Sequence, residues 1–404
     1  MKVLSNIFKN SNFPSIFSSY FFMTFGHRIG QFGILFFIWL SLKDASIIGI
    51  IFLIQAITKA SSGFLFNFLS TWFKLSTLFS ASFIIRIINY ILLIIYFMNP
   101  NSWIFLALIL AILSLVESFV EPVIYSTISK DVPQEKYSRY NSIVSLIDNI
   151  SLFISPVIGS LLVLINNSVV PLLLVVICSL LIGYLLIFKK RLIFDSNNSN
   201  KSTPFKNRLK ILVVNKTILY LLLTFMVFNL FMFPLLNIIF PAFIIKENNL
   251  GIGYIAYYEI LFSAGLIIAS SLQLFLNSNL FRAKLMMVIS FILGGVGLIW
   301  IGTIPWIIIA GFGSFIIGVC LSLLRVNNTT FMQQYIDKDI QKDFFAIRSS
   351  LLLSVAPISS AVVAFSIESS NSKFIMIIGG IVLLLLSISL YIVLIINNEK
   401  EKKA

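Results

Sequence analysis

Charge is scarce in this chain. Charged residues are 11% of the 404 positions, and only 15 of those positions are acidic. With 59% hydrophobic residues and a mean hydropathy of +1.02, a water-soluble fold of this length is excluded, since it could not solvate its own surface. Histidine occurs once and cysteine twice. Cys178 and Cys320 both fall inside apolar runs, so no disulfide framework and no metal-ligand cluster can be built. Nothing reads as a glycine-rich phosphate loop after a strand, which excludes an ATP-driven pump and leaves an intramembrane enzyme without support. No cofactor or metal is expected. The apolar runs, such as Ile104–Leu115 and Leu172–Phe188, lack period-two alternation, which excludes a membrane β-barrel.

What the chain does have is twelve apolar stretches, each long enough to cross a bilayer. The first six cover 13–40, 46–70, 75–98, 103–128, 138–165 and 169–188. Adding 204 to each boundary gives the second six: 217–244, 250–274, 279–302, 307–332, 342–369 and 373–396. The fold class is therefore all-α, a polytopic membrane protein with twelve transmembrane helices in two pseudo-symmetric six-helix bundles. The bundles are expected at 1–188 and 217–404, joined by a polar linker at 189–216 that begins Lys189-Lys190-Arg191. A duplicated six-helix bundle is the layout of secondary transporters, whose halves rock about a central site. The first run is long, carries Arg28 and lacks a cleavage site, so it is expected to remain as the first span.

The net charge of +14 is unevenly placed. With the N-terminus inside, 21 of the 29 Lys and Arg residues fall on inner segments, and only Lys43, Lys246 and Lys373 on outer loops. That positive-inside bias puts both termini in the cytoplasm of a multi-pass plasma-membrane protein. Basic loops facing anionic lipid explain the charge, and no nucleic-acid partner is needed.

Within the fourth and fifth spans the motifs sharpen. They read Phe119-Val120-Glu121-Pro122, then Val132-Pro133-Gln134-Glu135, Tyr140-Asn141-Ser142 and Ser155-Pro156-Val157-Ile158-Gly159-Ser160. Tyr335-Ile336-Asp337-Lys338-Asp339 and Ala356-Pro357 echo them in the second half. In these elements the chain resembles the major facilitator superfamily, and within it the macrolide-efflux-like branch of multidrug exporters. The resemblance implies the facilitator fold, a monomer, and proton-coupled efflux of amphipathic small molecules. It also marks Pro156 and Gly159 as the proline element of the fifth span. Two departures stand out. The loop after the second span, usually Gly-x-Leu-x-Asp-Arg, reads Gly63-Phe64-Leu65-Phe66-Asn67-Phe68, so the charged latch of the family is missing. Ser155 and Ser160 stand where glycines are usual.

Independently of any family, an ionisable group inside a bilayer costs about 2.5–3.5 kcal/mol and normally faces a cavity or a partner. The spans keep His27, Arg28, Lys59, Arg86, Glu117, Glu121, Asp148, Glu259, Arg325 and Arg348. Five bases nearly balance four acids, which points to internal pairing. Glu117 and Glu121, four apart, are expected on one helix face, where two carboxylates resist ionising together. Each is either a proton-coupling group or a counterion to Arg86 or Lys59. Glu121 and Arg325 are repeat equivalents and are expected to pair across the pseudo-twofold axis, or each within its own half. Glu259 has no cation beside it on its helix. His27 is either a proton shuttle or a hydrogen-bond partner, Asp148 a gate or a partner of Asn149 and Arg139. Arg348 is expected to snorkel to headgroups.

For a substrate cavity the candidates are Phe228, Asn229, Phe233, Asn237, Tyr257 and Tyr258, with Pro234 and Pro241 bending the seventh span. The leading reading is ion-driven export of an amphipathic molecule. Import of a nutrient and a non-transporting scaffold or sensor on the same fold are the rivals. Membrane lipid, a small-molecule substrate and a proton or other ion are the expected partners.

Overall fold

The computed structural model describes residues 13–396, apart from 43–44, 100–101, 118, 167–168, 189–215, 251–252, 277–278 and 370. The predicted linker, up to residue 215, lies outside the described residues. Helices fill nearly all of the rest: α1 (Phe13–Leu42), α2 (Ala45–Leu69), α3 (Leu75–Met98), α4 (Trp103–Glu117), α5 (Val120–Asp131), α6 (Tyr137–Asn166) and α7 (Val169–Phe188). The second repeat supplies α8 (Lys216–Pro234), α9 (Gly253–Gln273), α10 (Leu280–Thr303), α11 (Ile307–Tyr335), α12 (Gln341–Ser369) and α13 (Ser372–Tyr391). No strand occurs among the described residues. The protein is thus an all-α polytopic membrane protein. Nine of its helical stretches, among the described residues, are long and apolar enough to cross a membrane, Trp103–Asp131 being one crossing built from α4 and α5. The remaining three crossings are α1, α2 and α12, of 30, 25 and 29 residues.

Two spans expected as continuous helices are not. In the fourth, α4 ends at Glu117, Phe119 lies in a turn and α5 begins at Val120, residue 118 lying outside the described residues. Pro122, in the first turn of α5, has no N–H to offer the carbonyl four residues back. The seventh leaves α-helical geometry at Pro234 and continues as π-helical turns, Leu235–Ile239 and Ala242–Glu247. Pro234 and Pro241 each remove one donor from the ladder, and the wider π turn re-satisfies the freed carbonyls. The outer turn is tied down by Glu247, whose carboxylate accepts the Ser372 N–H at the start of α13, and by Lys373, whose Nζ lies 5.8 Å from the Phe243 ring centre.

The chain packs as two compact units. Unit 1 holds the described residues within Met1–Thr127, Ile150–Arg208 and Ile340–Ser354, and unit 2 those within Ile128–Asn149, Leu209–Asp339 and Val355–Ala404. Each unit has therefore taken in the opening turns of one helix from the other sequence repeat. The two exchanged helix starts, α6 and α12, are repeat equivalents at the 204-residue offset. In unit 1, α4 packs on α2 and α3, and α7 on α1 and α3. In unit 2, α11 packs on α9 and α10, and α10 on α13, so pairings of the first repeat recur in the second. Outward faces carry large apolar side chains such as Leu185, Leu272 and Leu385, which suit lipid.

The α9–α11 crossing is set by small residues, as expected where lipid removes any hydrophobic drive between helices. A Cβ on Gly265 would lie 2.2 Å from the Phe315 carbonyl oxygen, and one on Gly318 2.1 Å from that of Phe262. Gly265→Ala and Gly318→Ala should each lower the stability of purified protein by about 1–3 kcal/mol in thermal unfolding, by forcing the backbones apart. Ile268→Ala, on the outward face of α9, should change it little.

Candidate functional site

The break in the fourth span creates a helix end in mid-membrane. The C-terminus of α4 carries the negative end of the helix dipole, with the Val116 carbonyl still accepting the Phe119 N–H at 3.2 Å. Glu117, the final residue, adds a full negative charge. Lys59 Nζ of α2 approaches Glu117 Oε2 at 2.7 Å, and His27 Nε2 of α1 lies 3.6 Å from the same oxygen. On the other side of the imidazole, Nδ1 is 3.2 Å from the Tyr90 hydroxyl of α3. With a carboxylate at Nε2, the neutral ring carries its proton there and Nδ1 accepts from Tyr90. Arg86, also on α3, donates from Nη2 to the Val116 carbonyl at 3.5 Å, the oxygen that also accepts the Phe119 N–H. Arg28 donates to Gln31 Oε1 at 3.3 Å on its own helix. At 1.5 Å per residue, each of His27, Lys59, Arg86 and Glu117 sits roughly 15–23 Å from both ends of its crossing. Four spans thus converge on one carboxylate at mid-depth in unit 1.

This corrects the sequence expectation for the carboxylate pair. Glu117 closes α4 while Glu121 opens α5, so the two are not successive turns of one helix. Tyr90 was not anticipated. A tyrosine in the middle of an apolar span, one turn after an arginine, was the available signal, as Pro122 was for the break.

Unit 2 has its own ion pair. Arg325 Nη2 of α11 contacts Asp148 Oδ2 of α6, with side chains 32% and 6% exposed. Arg325 therefore has Asp148 as a partner, an acid of the opposite repeat held in the same unit. Asp148 faces Arg325, whereas Arg139 Nε donates to the Leu274 carbonyl at 3.1 Å and Asn149 donates to the Leu266 carbonyl and Ser270 Oγ at 3.2 and 3.3 Å. Below the pair runs a run of amides: Asn141 Nδ2 reaches Gln333 Oε1 at 2.7 Å and Thr330 Oγ1 at 2.9 Å, and Asn327 reaches Gln273 Oε1 at 2.7 Å. Glu259, on α9, is exposed and makes no hydrogen bond or ion pair among the described residues.

The eroded loop motif acquires a role in unit 1. Gly63 N–H donates to Ser350 Oγ at 2.7 Å and Asn67 Nδ2 to the Asp343 carbonyl at 3.1 Å, fastening the end of α2 to the start of α12 with neutral groups. A Cβ on Gly63 would lie 1.9 Å from the Ala346 carbonyl oxygen, so the motif glycine permits the contact. Arg348, expected at the headgroups, is instead 6% exposed, with its guanidinium 5.8 Å from the Phe345 ring. Burial against the ring of Phe345, one turn earlier on α12, replaces snorkelling.

Three of the six cavity candidates, Phe228, Asn229 and Tyr258, are buried in unit 2. Phe228 is fully buried against Phe291, ring centres 5.3 Å apart, and Asn229 returns its amide to the Phe225 carbonyl at 2.9 Å. Tyr258 and Tyr257 donate to the Ile307 and Ile308 carbonyls in the first turn of α11 at 2.9 and 3.1 Å, which ties α9 to α11. Phe233 is half-buried, and the Asn237 side chain lies outside the described residues. Helix α6 runs unbroken through Pro156 and Gly159, with Gly159 buried.

Removing one member of a part-buried ion pair leaves the other without its partner. Asp148→Asn should cost about 1.5–3 kcal/mol in thermal unfolding, and adding Arg325→Gln should recover more than half of that loss. Strictly additive losses would contradict the pairing.

The family model of the Major Facilitator Superfamily matches residues 16–359. Among solved structures, a bacterial homologue of the iron transporter ferroportin in the outward-facing state superposes with a TM-score of 0.75, at 14% identity, over 94% of this chain and 98% of the other. The E. coli fucose:proton symporter FucP superposes at 0.70, with 10% identity, over 94% and 98%, and FucP in the outward conformation at 0.72, with 11% identity, over 94% and 99%. No curated protein matches. Identities this low carry the fold alone, but the family model spans most of the chain. A duplicated twelve-helix architecture with charges held at mid-membrane now has its place: the chain belongs to the Major Facilitator Superfamily and is a membrane transporter, not an enzyme.

Proposed function

We propose that the protein is a proton-coupled secondary transporter that exports amphipathic small molecules from the cell by alternating access, working as a monomer in the plasma membrane with both termini in the cytoplasm. The two six-helix bundles, 1–188 and 217–404, are the rocking halves. The observation that carries the reading is the convergence of His27, Lys59 and Glu117 at mid-depth, where coupling sites of such folds lie. Lys59 and His27 share one carboxylate oxygen, so a proton gained by the imidazole sets two cations in competition for Glu117. Weakening the Lys59 contact loosens α2 from α4, while loss of the proton restores it. Protonation is thereby converted into a change in helix packing, which is what coupling requires.

Export rather than import, and a macrolide as the first cargo to test, rest on the resemblance of the fourth and fifth spans. Glu121, Glu259 and Asp148 are the further proton-coupling candidates; of these Glu259 is the most accessible and Asp148 the most firmly paired.

Cells lacking their own exporters, given a labelled macrolide, provide the test. The wild-type chain should lower accumulation, a protonophore should restore it, and Glu117→Gln should abolish the effect at equal membrane expression. Accumulation equal to that of empty cells would overturn macrolide export, and accumulation above it would establish an importer.

A further inference from the structure

Counting the charges around Glu117 leaves an imbalance. The permanent cations Lys59 and Arg86 act on it, and Arg28 acts on its neighbour His27. Against these three stand the Glu117 carboxylate and the partial negative charge of about one half at the end of α4. More than one positive charge remains at mid-membrane even with His27 neutral, and a proton on His27 raises it further.

The surplus concentrates on Arg86. Its residue is 2% exposed, yet among the described residues its guanidinium makes a single hydrogen bond, the 3.5 Å contact to the Val116 carbonyl. Its Nε is buried without a partner. A guanidinium has five N–H donors in a planar fork, and a buried cation normally spends them on acceptors. Here the nearest carboxylate is already engaged by Lys59 at 2.7 Å. Beyond Glu117, the phenols of Tyr90 and Tyr20 lie near enough to act on Arg86, and the one hydroxyl proton of Tyr90 already goes to His27 Nδ1. A planar fork with spare donors and excess positive charge is the arrangement that fits a carboxylate or another small anion.

We propose that the mid-membrane cluster of unit 1 binds an anionic group on Arg86, with Lys59 and Arg28 as flanking charges. The inference rests on the cluster being the working site of the transporter, and deepens that reading by naming a ligand class. Two sources share the chemistry: a carboxylate carried by the transported amphiphile, or a free inorganic anion that accompanies a neutral or basic cargo.

The test uses purified full-length protein in detergent, without a membrane gradient, so it succeeds or fails independently of transport. Thermal unfolding is followed by intrinsic fluorescence of the five tryptophans. Sodium benzoate and sodium chloride are titrated separately, with sodium HEPES holding ionic strength constant. The midpoint of the wild type should rise saturably with at least one of them. A response to benzoate alone assigns the group to the cargo, whereas a response to chloride at equal or lower concentration assigns it to a free anion. Arg86→Gln should remove the response, and Arg282→Gln, an exposed arginine at the start of α10, should keep it. Should Arg86→Gln fail to fold, Arg86→Lys keeps the charge but loses the fork, and the half-saturating concentration should rise about tenfold. A wild-type midpoint flat in both salts, or an Arg86 variant responding like the wild type, overturns the inference. Proton-driven transport that persists with no anion response would leave the transporter reading intact and remove only this one.

Discussion

The contact between Glu117 and Lys59 is the interaction on which the interior of unit 1 depends. Pro122 takes one donor from the hydrogen-bond ladder of the fourth span, and α4 ends in mid-membrane on the Glu117 carboxylate that Lys59 meets. Hydrocarbon offers nothing to such an end, and the neighbouring spans must supply the cations. Lys59 and Arg86 are that supply, drawn from α2 and α3, with the His27 imidazole of α1 beside them. The aromatic-x-x-Pro element at Phe119–Pro122 therefore does more than mark a family: it makes the site by breaking a helix.

A second constraint is the symmetric exchange of helix starts. The opening turns of α6 and α12 each pack with the other sequence repeat, α6 through Asn141, Asp148 and Asn149, and α12 through Asp343 and Ser350. On α2 the fastening is by neutral groups, Gly63 and Asn67, where the family commonly places an Asp-Arg pair. Neutral hydrogen bonds of this kind are worth about 0.5–1.5 kcal/mol each and are insensitive to salt, so they hold a closed contact without making it hard to reopen. In the other exchange the fastening is a part-buried ion pair, Asp148 with Arg325, backed by buried amides.

Much of the fold was legible because lipid imposes a simple grammar. The third and sixth spans were read at 75–98 and 169–188, and the helices Leu75–Met98 and Val169–Phe188 end at those same residues. The repeat at a 204-residue offset foretold that packing pairs recur. What periodicity could not show was where a span stops being an α-helix: the Glu117–Val120 break and the π turns after Pro234 depend on single prolines inside otherwise uniform runs. Pairing was less legible still. Charge placement identified His27, Lys59, Arg86 and Glu117 as residues in need of partners, but hydrophobicity carries no information on which polar group meets which. Phe228 and Tyr258 misled in the opposite direction, since an aromatic ring in a membrane span reads the same whether it lines a cavity or fills a core.

The most direct test of the coupling role of Glu117 is substrate-induced proton movement in proteoliposomes that enclose a pH-sensitive dye. Adding a macrolide to vesicles containing the wild-type chain should change the internal pH, and vesicles containing Glu117→Gln or His27→Gln should show no such change. Equal proton movement in the wild type and in Glu117→Gln would contradict the account, because the carboxylate at the broken helix end would then play no part in coupling.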